Sequence, residues 1–384
     1  MQRAVTRTVG ACSSKNGFVA TPRPPRGSIR CTYHHIEDQQ VSFDNFLSLE
    51  QASSLPQIIA GGCASDAKQV HQASQNSAMD ELMTRVPSDS AYIVYFDGMG
   101  ANHTGARNAL LTWVAAKMSY ARAIVAHSEL GSQLLVQRPA LCRNVLLAEA
   151  KTRLRSNGYF LALDLECRHD AAARLISKMA EMEHKLNVHA ITAISRGAYS
   201  DVWSLRAEET LQIDYDCMYS RRASIKMPFW YKGKWRLYGK CKDYRIIFHR
   251  SAPLHWVESA FNGLAVYKAA AIQDPKVAEC RYSGWAEPTQ KQPKGHIQSD
   301  HVAFHRCFRE QGEFNVFIDP SLVTCCNGSS TSSSWSDRGN PRYRMYVNPN
   351  GSTSIFYNAR DEARHIAGHE TPIDWQGLRD WQGR

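Results

Sequence analysis

Between residues 91 and 195, short apolar runs alternate with stretches of helical period, and no other feature narrows the fold as much. The β-branched and aromatic run "AYIVYFD" (91–97) reads as a buried strand, "GARNALLTWVAAKMSY" as a helix and "RAIVAH" as a short strand. "RPALCRNVLLAEAKTRLRS" sets Leu141, Val145, Ala148 and Leu154 at helical spacing, with Pro139 near its start. The strand "YFLALDL", the helix "DAAARLISKMAEMEHK" and the strand "VHAITAI" follow. Strands separated by helices of this length need crossover connections, which predicts an α/β fold: a mixed, mostly parallel sheet with helices on both faces. In such sheets ligands bind beyond the carboxyl ends of the strands.

One strand carries acids at that end. "YFLALDLECRHD" (159–170) closes on Asp164 and Glu166, one residue apart. In extended chain, residues i and i+2 share a face, so both carboxylates should meet at one spot while Leu165 turns to the core. Two carboxylates there repel unless a proton or cation lies between them. A hard divalent ion, Mn²⁺ or Mg²⁺, fits oxygen ligands and shares them with substrate phosphates. The competing reading is a strand end capped by solvated acids.

The 384 residues, 43% hydrophobic and 21% charged, leave ample material for a core. No apolar run approaches the roughly 20 residues of a membrane span. A formal charge of +10 points to phosphate-bearing ligands without choosing among them. Residues 1–88 read as a basic, partly disordered N-terminal extension with short helices, 89–322 as the main domain, and 323–384 as a C-terminal appendage. Eleven scattered cysteines without a zinc-ligand spacing read as mostly free and buried, which favours a reducing, cytoplasmic setting. The acid-free, basic first 35 residues also suit organelle import. On that reading the sequons at Asn102, Asn327 and Asn350 are accidental. After residue 206, Lys232, Lys234 and Arg236 interleave with Trp230, Trp235 and Tyr238 in an apparent hairpin over 226–245. "YRIIFH" reads as a strand, "SDHVAFHRCFREQG" as a helix capped near Ser299 and ending at Gly312, and "FNVFIDP" as a strand stopped by Pro320.

Five segments in order, "RNVLL", "LDLE", "YSDVWSLR", "FNGLAVYKA" and "SDHVAFH", resemble the fungal capsule-associated mannosyltransferase family and its bacterial and viral relatives. Those are glycosyltransferases of GT-A type, and the resemblance spans roughly residues 90–320. It implies a GT-A-like, Rossmann-like sheet and a nucleotide-sugar donor, UDP- or GDP-linked. The donor's diphosphate would be held by Mn²⁺ or Mg²⁺ on Asp164 and Glu166, with His301 or His305 completing the set. The ion would neutralise charge growing on the leaving phosphate. Asp300, Glu258 and Asp201 become candidate catalytic acids or bases, the first two as general bases for an acceptor hydroxyl. Tyr199, Trp203, Arg206, Asn262, Gly263 and Arg143 become candidate donor or acceptor contacts.

Each residue also has a plainer role: Asp300 as a helix cap, Asp201 and Arg206 as a buried pair beside a core tryptophan, Asn262–Gly263 as a tight turn. The implied acceptor is a glycan or a phosphorylated lipid, and nucleic acid is the less favoured partner. The alternative is a non-catalytic protein on a degenerate transferase fold. It would bind sugar, or single-stranded nucleic acid through the aromatic and basic hairpin.

Overall fold

A computed structural model describes residues 55–97, 103–126, 137–169, 172–195, 199, 201–211, 213, 244–286, 296–326 and 343–356. The main sheet comprises β1 (Ile58–Ala64), β2 (Ala91–Asp97), β3 (Ala121–Ala126), β4 (Tyr159–Leu163), β5 (Cys167–Arg168), β6 (Ala190–Ser195), β8 (His255–Val257), β9 (Leu264–Lys268) and β12 (Val316–Cys326). Between these in the chain lie β7 (Tyr244–Phe248), β10 (Trp285–Ala286) and β11 (His296–Ile297). The spatial order is β3-β2-β1-β4-β9-β6-β12-β5, with β8 pairing on β12. The pairs β1–β2, β2–β3, β1–β4 and β6–β12 are parallel, and β9 runs antiparallel between β4 and β6. Strands β1 to β4, β6 and β12 therefore share one direction. The fold is the expected α/β class.

Two apolar layers show that helices cover both faces. One holds Val70, Met79, Leu82, Leu110, Trp113, Leu175 and Met179 from α1 (Ala67–Ser74), α2 (Ser77–Arg85), α3 (His103–Ala116) and α5 (Ala172–Glu183) with their strands. The other packs Leu146, Leu147, Phe304 and Phe308 from α4 (Gln137–Arg153) and α8 (Asp300–Gly312) against Phe160 and Tyr267. Local chemistry starts the helices: Asp66 accepts from the Gln69 N–H at 2.8 Å, and Asn76 from Met79 at 3.3 Å. Short α6 (Glu208–Leu211) and α7 (Ala269–Ile272) complete the set. Among the described residues no helix is long and apolar enough to cross a membrane.

Three expectations change. The sheet begins 31 residues before the boundary expected at 89, because β1 lies between β2 and β4 and is almost wholly buried. Its sequence "IIAGGCA" reads weakly because packing demands the glycines. A Cβ on Gly61 would stand 2.8 Å from Leu146 Cδ2, so any larger residue there would push the Leu146 side chain of α4 aside. Second, Pro320 does not stop β12. It sits where the register slips between Ile318 and Val323, a break that tolerates a residue without N–H, and pairing resumes to Cys326. Residue 323 thus lies inside a strand. Beyond it, β13 (Tyr343–Val347) and β14 (Thr353–Phe356) form a second sheet with β7, in the order β14-β13-β7.

Third, the cysteines are not mostly free. Cys63 bonds Cys142, Cys167 bonds Cys326 and Cys280 bonds Cys307, across 79, 159 and 27 residues. Cys325 is disulfide-bonded as well. Pairings this remote leave no trace in local spacing. The basic tail, most of the hairpin at 226–245 and the serine-rich loop after Asn327 lie outside the described residues.

Candidate active site

The site lies at the carboxyl ends of β4, β6 and β12, where β1 and β4 part company in chain order. That is the switch point at which open α/β sheets bind ligands. β4 stops at Leu163, and Asp164 to Cys167 form a turn closed by the Cys167 N–H donating to the Asp164 carbonyl at 2.9 Å. A turn thus replaces the extended alternation expected from spacing, and it keeps Glu166 near enough for its charge to act on Asp164. Leu165 is buried while Asp164 and Glu166 are half-buried.

The turn is held from three directions. The Asp164 N–H donates to the Gly263 carbonyl at 2.9 Å, and His169 Nε2 approaches the same oxygen at 3.2 Å. His169 Nδ1 in turn meets Asn76 Nδ2 at 3.0 Å. Gly263 has φ of +87°, and a Cβ there would lie 2.6 Å from Cys167 Sγ and 3.0 Å from Cys326 Sγ. Glycine is required both by the left-handed backbone and by the disulfide packed on it. From the β1 side, Gln69 Nε2 donates to Glu166 Oε1 at 2.9 Å, while Gln69 Oε1 accepts from the Ser65 N–H at 2.6 Å. Glu166 Oε2 is buried without a hydrogen-bond partner.

Asn262, also left-handed at φ 57° and 1% exposed, fastens the neighbouring strand ends. Its Oδ1 accepts from Ser195 Oγ at 2.8 Å and from the Asp201 N–H at 3.2 Å, and its carbonyl accepts from Thr324 Oγ1 at 2.8 Å. Asp201 Oδ2 accepts from Ser204 Oγ at 2.6 Å. Burial pushes the Asp164 carboxyl up to about 6; Arg143 opposes the rise, and Glu166 and Asp201 add to it. Burial also raises Asp201, against its bonds from Ser204 and Asn262 and the charge of Arg143. Asp164 thus feels two like charges, Glu166 and Asp201, against one buried guanidinium, Arg143.

Arg143 projects from α4, pairs with Asp300 at 2.5 Å and lies 4.8 Å above the Phe261 ring. Asp300, in the first turn of α8, also accepts from the His301 N–H at 3.1 Å, so both its oxygens are engaged. His301 is 1% exposed, stacks on Phe261 with centroids 3.8 Å apart and has both ring nitrogens unpartnered. Burial holds it well below the usual imidazole range, helped by Arg143.

Other candidates fall elsewhere. His305 does follow His301 on one helix face, but that face is the core: Ser259 Oγ meets its Nδ1 at 3.1 Å and Tyr267 OH its Nε2 at 2.7 Å. Neither nitrogen is left for a metal. The Tyr199 hydroxyl is buried as the acceptor of the Phe261 N–H at 3.0 Å, so it braces the Asn262 turn and does not face a ligand. The Arg206 guanidinium is spent on the Trp203 and Leu205 carbonyls, at 2.9 and 2.7 Å. It holds its own loop beside half-buried Trp203. Glu258 is half-buried at the end of β8, its N–H donating to the Arg206 carbonyl at 2.8 Å.

Sequence reasoning missed Gln69, Thr324 and the Cys167–Cys326 bond. The adjacent pair Cys325–Cys326 was the only visible signal. Among the described residues no three His, Cys, Asp or Glu side chains gather closely enough to hold a metal. An ion here would need oxygens from its own ligand, which suits Mg²⁺ or Mn²⁺ on two carboxylates and a diphosphate.

No protein-family profile matches the chain, and no curated protein sequence does. Solved structures resemble it distantly. One is a mannosyltransferase from Pyrobaculum calidifontis in complex with GDP-Man and Mn²⁺, at 11% identity and a TM-score of 0.39 over 74% of this chain. Another is GalNAc-T7 with UDP, GalNAc and Mn²⁺, at 9% identity and 0.40 over 74%. A third is mouse xyloside xylosyltransferase 1, at 9% identity and 0.35 over 80%, of which the match spans 98%. The chain spans 61% of the first and 47% of the second.

Proposed function

We propose that the chain is a metal-dependent glycosyltransferase of GT-A type that moves a hexose-type sugar from a UDP- or GDP-linked donor to a hydroxyl acceptor, a glycan or a phosphorylated lipid. The observation that carries this reading is the Asp164–Glu166 turn. It holds one carboxyl pushed up by burial and like charge, and beside it a buried Glu166 oxygen with no partner. Carboxylates held in this way fit a divalent cation. Asp164 and Glu166 would hold it; His301 is buried with both ring nitrogens uncommitted among the described residues. The bound ion would neutralise charge on the donor's leaving diphosphate.

The chain's own groups supply the rest. Arg143, pinned by Asp300, adds fixed positive charge beside the carboxylates, where buried charge acts strongly on a phosphate. Asp300 thereby serves as a positioning residue. Asp201, raised by burial and close enough for its charge to act on Asp164, is the better-placed general base for the acceptor hydroxyl. Glu258 is the second candidate. Asn262 sets Asp201 and the Asp164 turn in register, and Trp203 offers an apolar flank for a sugar ring.

The test is release of UDP or GDP from a panel of nucleotide sugars, with and without Mn²⁺. Metal-dependent release by the wild type, reduced on the order of a hundredfold or more in Asp164→Asn, supports the proposal. A folded protein that binds donor without releasing nucleotide would be a degenerate transferase. Salt-steep oligonucleotide binding that ignores Asp164→Asn would place the function in the hairpin instead.

A further inference from the structure

We propose that Asn350 carries an N-linked glycan, added in an oxidising secretory lumen. Asn350, Gly351 and Ser352 form an N-x-S acceptor sequence. They occupy the turn between β13 and β14, with Asn350 exposed. The turn is closed by the Asn348 N–H donating to the Ser352 carbonyl at 2.9 Å and the Gly351 N–H to the Asn348 carbonyl at 2.8 Å. Gly351, at φ 82°, supplies the left-handed residue.

Within it, Asn350 Oδ1 accepts from the Ser352 N–H at 3.0 Å and from Ser352 Oγ at 2.7 Å. Two donors on the carbonyl oxygen leave the amide nitrogen as the uncommitted end of an exposed side chain. The hydroxyl that the acceptor sequence requires is already on the amide.

An independent observation places this sequence where it would be used. Disulfides join Cys63 to Cys142, Cys167 to Cys326 and Cys280 to Cys307, linking strands and helices throughout the main domain. Such bonds form and persist in oxidising compartments and are rare in the cytosol. The same lumen holds the co-reactant, an oligosaccharide linked to a polyprenyl diphosphate, and the transferase that uses it. In the step, the Asn350 amide nitrogen bonds to C1 of the terminal sugar. The C1–O bond to phosphate breaks, the polyprenyl diphosphate leaves with the electron pair, and the amide proton passes to a base of that transferase.

The experiment recovers the endogenous full chain from its cells under non-reducing conditions. Disulfide-linked peptides and the peptide containing position 350 are identified by mass spectrometry, before and after treatment with an amide-cleaving glycosidase. The expected result is the three disulfides, together with a glycan at Asn350 whose removal leaves an aspartate. In the same cells, Asn350→Gln and Ser352→Ala should lose one glycan's mass, and Ser352→Thr should keep it. An unmodified Asn350 in a chain whose disulfides have formed overturns the proposal. So does a chain whose cysteines are recovered reduced. Neither result bears on nucleotide release at Asp164.

Discussion

Glu166 Oε2 and Asp164 pose the same question at the scale of single residues: what compensates oxygens that burial has taken from water? A partnerless buried carboxylate oxygen costs stability unless something binds it. Glu166→Gln should therefore weaken Mn²⁺ binding, measured by calorimetry, while leaving the metal-free protein as stable as wild type or more so. The buried histidines make a separate, signed prediction. Burial pushes His169 and His255 down to about 4 and His305 to about 3. Their folded values lie below the unfolded value near 6.5, so below that pH the unfolded chain binds more protons. Stability should be full above pH 6.5 and fall as pH drops toward 4. His255 lies edge-on to Phe248 with Nε2 unpartnered, so His255→Phe keeps a ring there and removes a titrating group. The unfolding free energy of that variant, measured by denaturant, should fall less steeply over this range, with a difference on the order of 3 kcal/mol across it. An unchanged slope would mean that His255 already titrates normally.

At the scale of elements, the acid-bearing turn after β4 keeps its shape through Gly263 just before β9, Gln69 on α1 and Cys326 on β12. Gly263 is the contact point, and Gly263→Ala would force a left-handed alanine into the Cys167–Cys326 bond. The expected cost is about 1–3 kcal/mol of stability, read by denaturant unfolding, together with weaker Mn²⁺ binding. Cys326→Ser opens a loop of 159 residues and should cost about 2–4 kcal/mol. Because Cys167 directly follows Glu166, metal-dependent nucleotide release should fall with it. Retention of full release by a destabilised Cys326→Ser would show that Asn262 and Thr324 hold the turn unaided.

For the whole molecule, the position of β1 decides where the folding unit starts. A chain beginning at residue 89 would leave β2 and β4 without the strand that joins them. Circular dichroism and thermal melting should find no cooperative transition. The period of apolar residues from 91 to 195 was enough to read four strands, three helices and the carboxyl-edge address of Asp164 and Glu166, because burial of a repeating face leaves a repeating pattern. "IIAGGCA" lacked that pattern because close helix packing replaced side chains with glycine. The disulfide partners, the bracing of Asn262 and the inward turn of His305 join residues 27 to 159 positions apart. The linear sequence determined which segments would be strands and helices and which carboxylates would stand at a strand end. Only the tertiary structure decided which side chains are spent holding the turn and which are left to meet a ligand, because that depends on neighbours brought together by the sheet's strand order and not by the chain.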